Sequence, residues 1–132
     1  MTNQSELMVK CKEDCGNAPK KLLLKDLTIA LAKHDIAFCL NCMRDDVVWD
    51  MIGKQQVEGI DEYEQALLQM KHRQVQELHI HHIITHGNTA SVNGTFYLTD
   101  GGSIAFCDVY DFGGFGKKAK IKKITSYVIP TS

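Results

Sequence analysis

The chain has 132 residues, of which 44% are hydrophobic and 23% charged. That length and balance fit one compact domain with a core of its own. A net charge of -1 argues against a nucleic-acid or anionic-membrane partner. No apolar run is long enough to span a bilayer, and the opening "MTNQSELMVKCKEDCG" has no secretory h-region. Five cysteines, an odd number, argue against a disulfide framework and point to reduced thiols in the cytoplasm.

In chain order, residues 1–17 read as an appended polar extension whose centre can form a turn or two of helix. The domain proper is expected over 18–132. "NAPKKLLLKDLTIALAKHD" predicts the first main helix, with Pro19 at the first helical position and Leu23, Leu27, Ala30 and Leu31 on one face. Asp35 can cap a second helix, "DIAFCLNCM". "DDVVWDMIG" is short, β-branched and aromatic, and predicts a strand. "GIDEYEQALLQMK" predicts a third helix, with Asp61 and Glu64 forming a capping-box pair.

Beyond residue 74 the period changes to two. "VQELHIHHIITH" meets "TASVNGTFYLT" across Gly87-Asn88, a two-residue hairpin of the type with glycine first. "SIAFCDVYDF" and "KAKIKKITSYVI" complete a four-strand meander. The class is α+β, with helices segregated to one side of a mostly antiparallel sheet.

Several motifs invite chemistry. Strict alternation in "HIHHIITH" puts His79 and His81 on one face and His82 and His86 on the other. No third metal ligand follows from that spacing, so no metal is assigned; one histidine as a pocket hydrogen-bonder is the alternative. Cys39 and Cys42 form a C-x-x-C inside a helical pattern, at core spacing, and read as buried structural thiols. A four-thiolate zinc site with Cys11 and Cys15 is the competing reading, at a spacing unlike a zinc ribbon. "GGFGKK" lacks the first glycine of a phosphate loop, having Asp111 there, and has Lys118 where Ser or Thr is needed. The basic run "GKKAKIKK" alternates with apolar residues, as a solvated strand face does. No cofactor is implied.

Asp108 is the unusual residue. Alternation groups it with Ile104, Phe106, Tyr110 and Phe112 on an aromatic face that helices should cover. A carboxyl on an apolar wall is either satisfied by a neighbour as structural glue or poised to exchange a proton in a pocket.

The layout resembles the nuclear transport factor two-like superfamily, which includes SnoaL-like polyketide cyclases, ketosteroid isomerase and limonene-epoxide hydrolase. The resemblance covers about residues 18 to 129. "DIAFCLNCMRDDVVWDMIG", "VEGIDEYEQAL" and "FCDVYDFGGFGKKAKIKKITSYV" carry it, by their order and spacing. It implies a cone-shaped α+β barrel, three N-terminal helices on a curved sheet, a deep apolar pocket, and a homodimer formed through the outer sheet face. Asp108 matches the isomerase's strand aspartate, which as a protonated acid hydrogen-bonds a developing oxyanion. The isomerase's tyrosine falls at Leu27. Its general base falls at Met51 by one count and Asp50 by another; Met51 is preferred, because it then lines the pocket with Trp49. Against the epoxide hydrolase, the motif arginine becomes Phe106 and the second aspartate Ser126. The expectation is a binder of a small apolar or polycyclic molecule, with Asp108 as the proton-exchanging residue. Leu27, Phe38, Trp49, Met51, Phe106 and Tyr110 would shape the pocket. A non-catalytic binding or dimeric interaction module is the alternative.

Overall fold

In the computed structural model, which describes residues 7–11, 18–70, 73–114 and 118–131, the chain enters as a strand, β1 (Met8–Cys11). β1 pairs in parallel with β4 (Val75–His86), and Lys10 adds an ion pair to Glu77 at 3.5 Å. The helical turn expected within residues 1–17 is therefore corrected over 8–11. Four residues alternating exposed and half-buried carry too weak a period to declare a strand, and only the β4 edge supplies their backbone partners. Cys11 is disulfide-bonded, which corrects the expectation of uniformly reduced thiols. Cys39, Cys42 and Cys107 are free thiols.

Helix α1 (Pro19–Lys33) starts on Pro19, as expected, without a side-chain cap. Its buried face is Leu24, Leu27, Thr28, Ala30 and Ala32, with Leu23 and Leu31 half-buried against the same core. Thr28 tolerates complete burial because its hydroxyl donates to the Leu24 carbonyl at 2.8 Å. The helix stops at His34, in the left-handed region (φ 61), whose N–H returns to the Ala30 and Leu31 carbonyls. Asp35 then caps α2 (Ile36–Asn41), accepting from the Phe38 N–H at 3.2 Å.

β2 (Met43–Met51) turns through Gly53, at positive φ, into β3 (Gln55–Glu58). β3 is absent from the sequence expectation because only Val57 in it is buried; a polar edge strand has no hydrophobic period to read. α3 (Ile60–Gln69) begins on Gly59 with no side-chain cap. This corrects the Asp61–Glu64 box: Asp61 sits inside the first turn, and Glu62 reaches back to accept from the Glu58 N–H at 3.0 Å. Asp61 and Glu62 still favour this end through the helix dipole.

β4, β5 (Thr89–Leu98), β6 (Ser103–Phe112) and β7 (Ile121–Pro130) form the antiparallel meander. The hairpin turn has Gly87 at φ 61 and no positive φ at Asn88, the glycine-first type. β2 joins β7 in parallel and β3 closes the far edge, giving the order β1-β4-β5-β6-β7-β2-β3. Among the described residues the fold is thus α+β, three helices on a seven-stranded, mostly antiparallel sheet. The helices are not consecutive: β1 precedes them, and β2 and β3 lie between α2 and α3.

The core lies between the helices and the inner sheet face. Leu24, Leu27 and Tyr63 from the helices meet Val47, Leu78, Ile80, Val92, Tyr110 and Phe112. The outer face carries His79, Asn93, Thr95, Cys107, Tyr127 and Ile129, which follow from the register. A bulge between Ile80 and His82 resets the parity of β4. Leu78 and Ile80 point inward before it and Ile83 after it, so His82 and His86 come to the outer side with His79. The two-face division of the histidines is corrected accordingly. Among the described residues no group of three or more His, Cys, Asp or Glu could hold a metal ion, and no helix is long and apolar enough to cross a membrane.

Candidate functional site

The inner face of β6 runs Ile104, Phe106, Asp108, Tyr110, Phe112. Across the ladder Asp108 faces Val92 on β5 and Ser126 on β7. Val92 is apolar and fully buried, so that side offers the carboxyl nothing. The other side offers a hydroxyl. β2 lies beyond β7 and brings Trp49 over Ser126, and the indole Nε1–H donates to Ser126 Oγ at 2.9 Å. An oxygen that accepts from the indole has its own single proton to give. Ser126 gives it to Asp108, and the Tyr110 phenol is a second donor to the same carboxyl. Trp49, Ser126, Asp108 and Tyr110 therefore form one polar chain in an apolar wall. Tyr63 on α3 fixes the Trp49 ring, with centroids 5.3 Å apart at 59°.

Asp108 is 8% exposed, and loss of water pushes its pKa from 3.8 up to about 6. The Ser126 and Tyr110 donors pull the other way and are outweighed. With that value about nine in ten molecules hold the carboxylate at pH 7. The group is a base considerably stronger than an ordinary aspartate, with an accessible acid form. The Tyr110 and Tyr63 phenols are pushed upward by burial and stay protonated, each further raised by nearby Asp108. Burial also raises Cys39 to about 12 and Cys42 to about 11, so both are inert thiols at neutral pH.

A cavity of about 440 Å³ opens beside this chain, within the range of small-molecule sites. Its inner wall includes Asp108, Ser126, Trp49, Met51, Phe106, Leu67 and Cys39. Phe96 stacks on Phe106, with centroids 4.4 Å apart, and extends the aromatic wall. Toward solvent the lining includes His34, Ile52, Lys54, Gln55, Gln69, Met70, Arg73 and Val128.

Of the residues singled out from sequence, Trp49, Met51, Phe106 and Asp108 line the cavity. Leu27, Phe38 and Tyr110 do not. Leu27 is completely buried one turn before the α1 residues that reach the wall, Ala30 to Ala32. Phe38 is half-buried against the core, and its neighbours Ile36 and Cys39 take the wall instead. Tyr110 is buried behind Asp108 and touches the site only through it. Asp50 lies on the opposite face of β2 from Trp49 and Met51, so of the two counted positions Met51 is the one that faces the cavity. As lining residues, Ser126, Phe96, His34, Lys54 and Arg73 were missed. Ser126 had a signal, a hydroxyl between Ile124 and Val128 on a period-two face. Phe96 had one too, in line with Val92 and Leu98 on the inner face of β5; His34, Lys54 and Arg73 come from element ends, where no period exists.

The family described as SnoaL-like domain matches residues 25–124. No curated protein matches the chain. Among solved structures, an NTF-2-like protein of unknown function from Burkholderia xenovorans LB400 aligns with a TM-score of 0.71 at 16% identity, over 86% of this chain and 85% of that one. An LEH-like epoxide hydrolase of M. tuberculosis aligns with a TM-score of 0.65 at 21% identity, over 82% and 80%. SalBIII, an epoxide hydrolase/cyclase-like enzyme of pyran ring formation in the polyether salinomycin, aligns with a TM-score of 0.68 at 12% identity, over 83% and 90%. At these identities the likeness is one of fold.

Proposed function

Because the chain belongs to the SnoaL-like domain family, we propose that its cavity binds a small, mostly apolar molecule and that Asp108 exchanges a proton with it. The reaction class is isomerisation or cyclisation by proton transfer. One observation carries this reading: a buried carboxyl with its pKa pushed to about 6 lines a cavity whose inner wall is otherwise nearly all apolar. Trp49 and Ser126 orient the carboxyl, and the apolar wall excludes water that would compete for the proton. The epoxide hydrolase and cyclase relatives suit the class, although Phe106 and Ser126 stand where the resemblance to the hydrolase would want an arginine and an aspartate. Ser126 and Tyr110 also supply a second reading, in which a satisfied Asp108 is structural and the domain only binds.

Carboxyl NMR separates the two. A titration near 6, rising further when N-phenyl-1-naphthylamine fills the cavity, is the expected outcome, with Asp108→Leu folded and no less stable. A titration near 4, with Asp108→Leu destabilised by about 1 to 3 kcal/mol, leaves the binding module.

We propose further that two copies associate through the outer sheet face. Ile84, Tyr97, Tyr127 and Ile129 are exposed there, and large apolar side chains gathered on one sheet face favour a partner.

A further inference from the structure

Charge is distributed unevenly along the cavity. Among the described residues lining it Asp108 is the one acid, and it sits at the inner end. The exposed lining residues, which mark the mouth, include two full cations, Lys54 and Arg73. Neither side chain has a hydrogen-bond or ion-pair partner among the described residues. Both are carried on anchored backbone. Lys54 closes the β2–β3 turn through its N–H to the Met51 carbonyl at 2.9 Å. The Arg73 N–H bonds the Met70 carbonyl at 3.1 Å, and the Arg73 carbonyl accepts from His34 Nε2–H at 2.8 Å. That last bond ties the end of α1 to the segment after α3 and holds Arg73 over the opening.

Among the described residues lining the mouth none is acidic. The C-terminal ends of α1 and α3 lie there, each equivalent to about half a negative charge, and two full cations outweigh them. Between the cations and Asp108 the wall is apolar, with Leu31, Ile36, Met70, Val75, Leu98 and Ile104 contributing.

We infer, building on the reading of this cavity as a ligand site, that its ligand is an amphipathic anion. An apolar body fills the cavity, a terminal carboxylate, sulfonate or phosphate meets Lys54 and Arg73 at the mouth, and the opposite end carries the exchangeable proton to Asp108. The Asp108 carboxylate disfavours binding in the reverse direction, which would press the anion against it. The two ends together set the orientation of the ligand.

The test uses two fluorescent probes with the same skeleton, 8-anilino-1-naphthalenesulfonate and N-phenyl-1-naphthylamine, which differ by the sulfonate. The full chain should bind both, the sulfonate about fivefold more tightly at low salt, as expected for contacts to exposed cations. The preference should shrink as salt is added. The double variant Lys54→Met, Arg73→Met should lose the preference, read as the ratio of the two affinities within each protein. Lys122→Met, Lys123→Met makes the same charge change at exposed positions outside the cavity and should retain it. Equal affinity for the two probes, or equal loss of preference in both double variants, overturns the anion inference while leaving the cavity reading intact. Binding of neither probe overturns both.

Discussion

Asp108 is raised where most native carboxylates are lowered, and the sign matters for stability. Its folded pKa of about 6 exceeds its ordinary 3.8, so between those values the folded state binds more protons than the unfolded one. Stability from this group is therefore fully present below pH 4, falls as pH rises to about 6, and stays low above it. At about 1.4 kcal/mol per pH unit the loss is on the order of 3 kcal/mol. Glu77 and Asp46, held below the usual range by His79 and Arg44, push the other way in the whole protein. The comparison with Asp108→Asn cancels them. In urea unfolding from pH 4 to 7, the variant should gain up to about 3 kcal/mol relative to the parent chain. A difference that does not change with pH would mean that the carboxyl does not titrate in this window.

Among the elements, the β4–β5 pair limits what the site can tolerate. A Cβ on Gly94 would collide with the His79 carbonyl and crowd the Ile80 Cα. These are backbone atoms, and no rotamer change relieves them. The same stretch holds the β4 bulge, which re-aims Ile83 into the core and places His82 beside Asn93, with Nδ1 to Oδ1 at 3.0 Å. Gly94→Ala must open the ladder between β4 and β5, and thermal melting should show a loss of roughly 3 kcal/mol. An unchanged melting temperature would mean that the two strands separate at little cost. The cavity should suffer too, since Val75, Phe96 and Leu98 on these strands line it.

For the whole molecule the question is what covers the outer face. Tyr127 and Ile129 are 47% and 63% exposed, and the register sets them beside Cys107 and Ala105. Sedimentation at micromolar concentration should show a dimer. Tyr127→Glu with Ile129→Glu should give a folded monomer, because both side chains stand clear of the core and a buried charge pair would oppose association. A parent chain that sediments as a monomer overturns the dimer. The cavity opens away from this face, so dimer loss should leave probe binding unchanged.

Local patterns were enough to predict much of this molecule. Period two over residues 75–112 placed Phe106, Asp108 and Tyr110 on one inner face, because alternation in a strand is a property of the backbone alone. Pro19 and Asp35 marked two helix starts by chemistry that acts within one turn. Periodicity fails where tertiary contacts override it. β1 and β3 are short edge strands that exist because a neighbour completes their hydrogen bonds. The bulge at His81 reverses a face that strict alternation assigns, since one extra residue changes parity for everything after it. Resemblance and composition place Leu27, Phe38 and Tyr110 at the wall, yet they lie beside it, because whether a buried side chain meets protein or open space depends on how helices seat on the sheet. The same seating gathers His34, Lys54 and Arg73, far apart in the chain, at one mouth. Polar and charged side chains from three element ends carry no common pattern along a sequence, and only the folded arrangement brings them to the same opening.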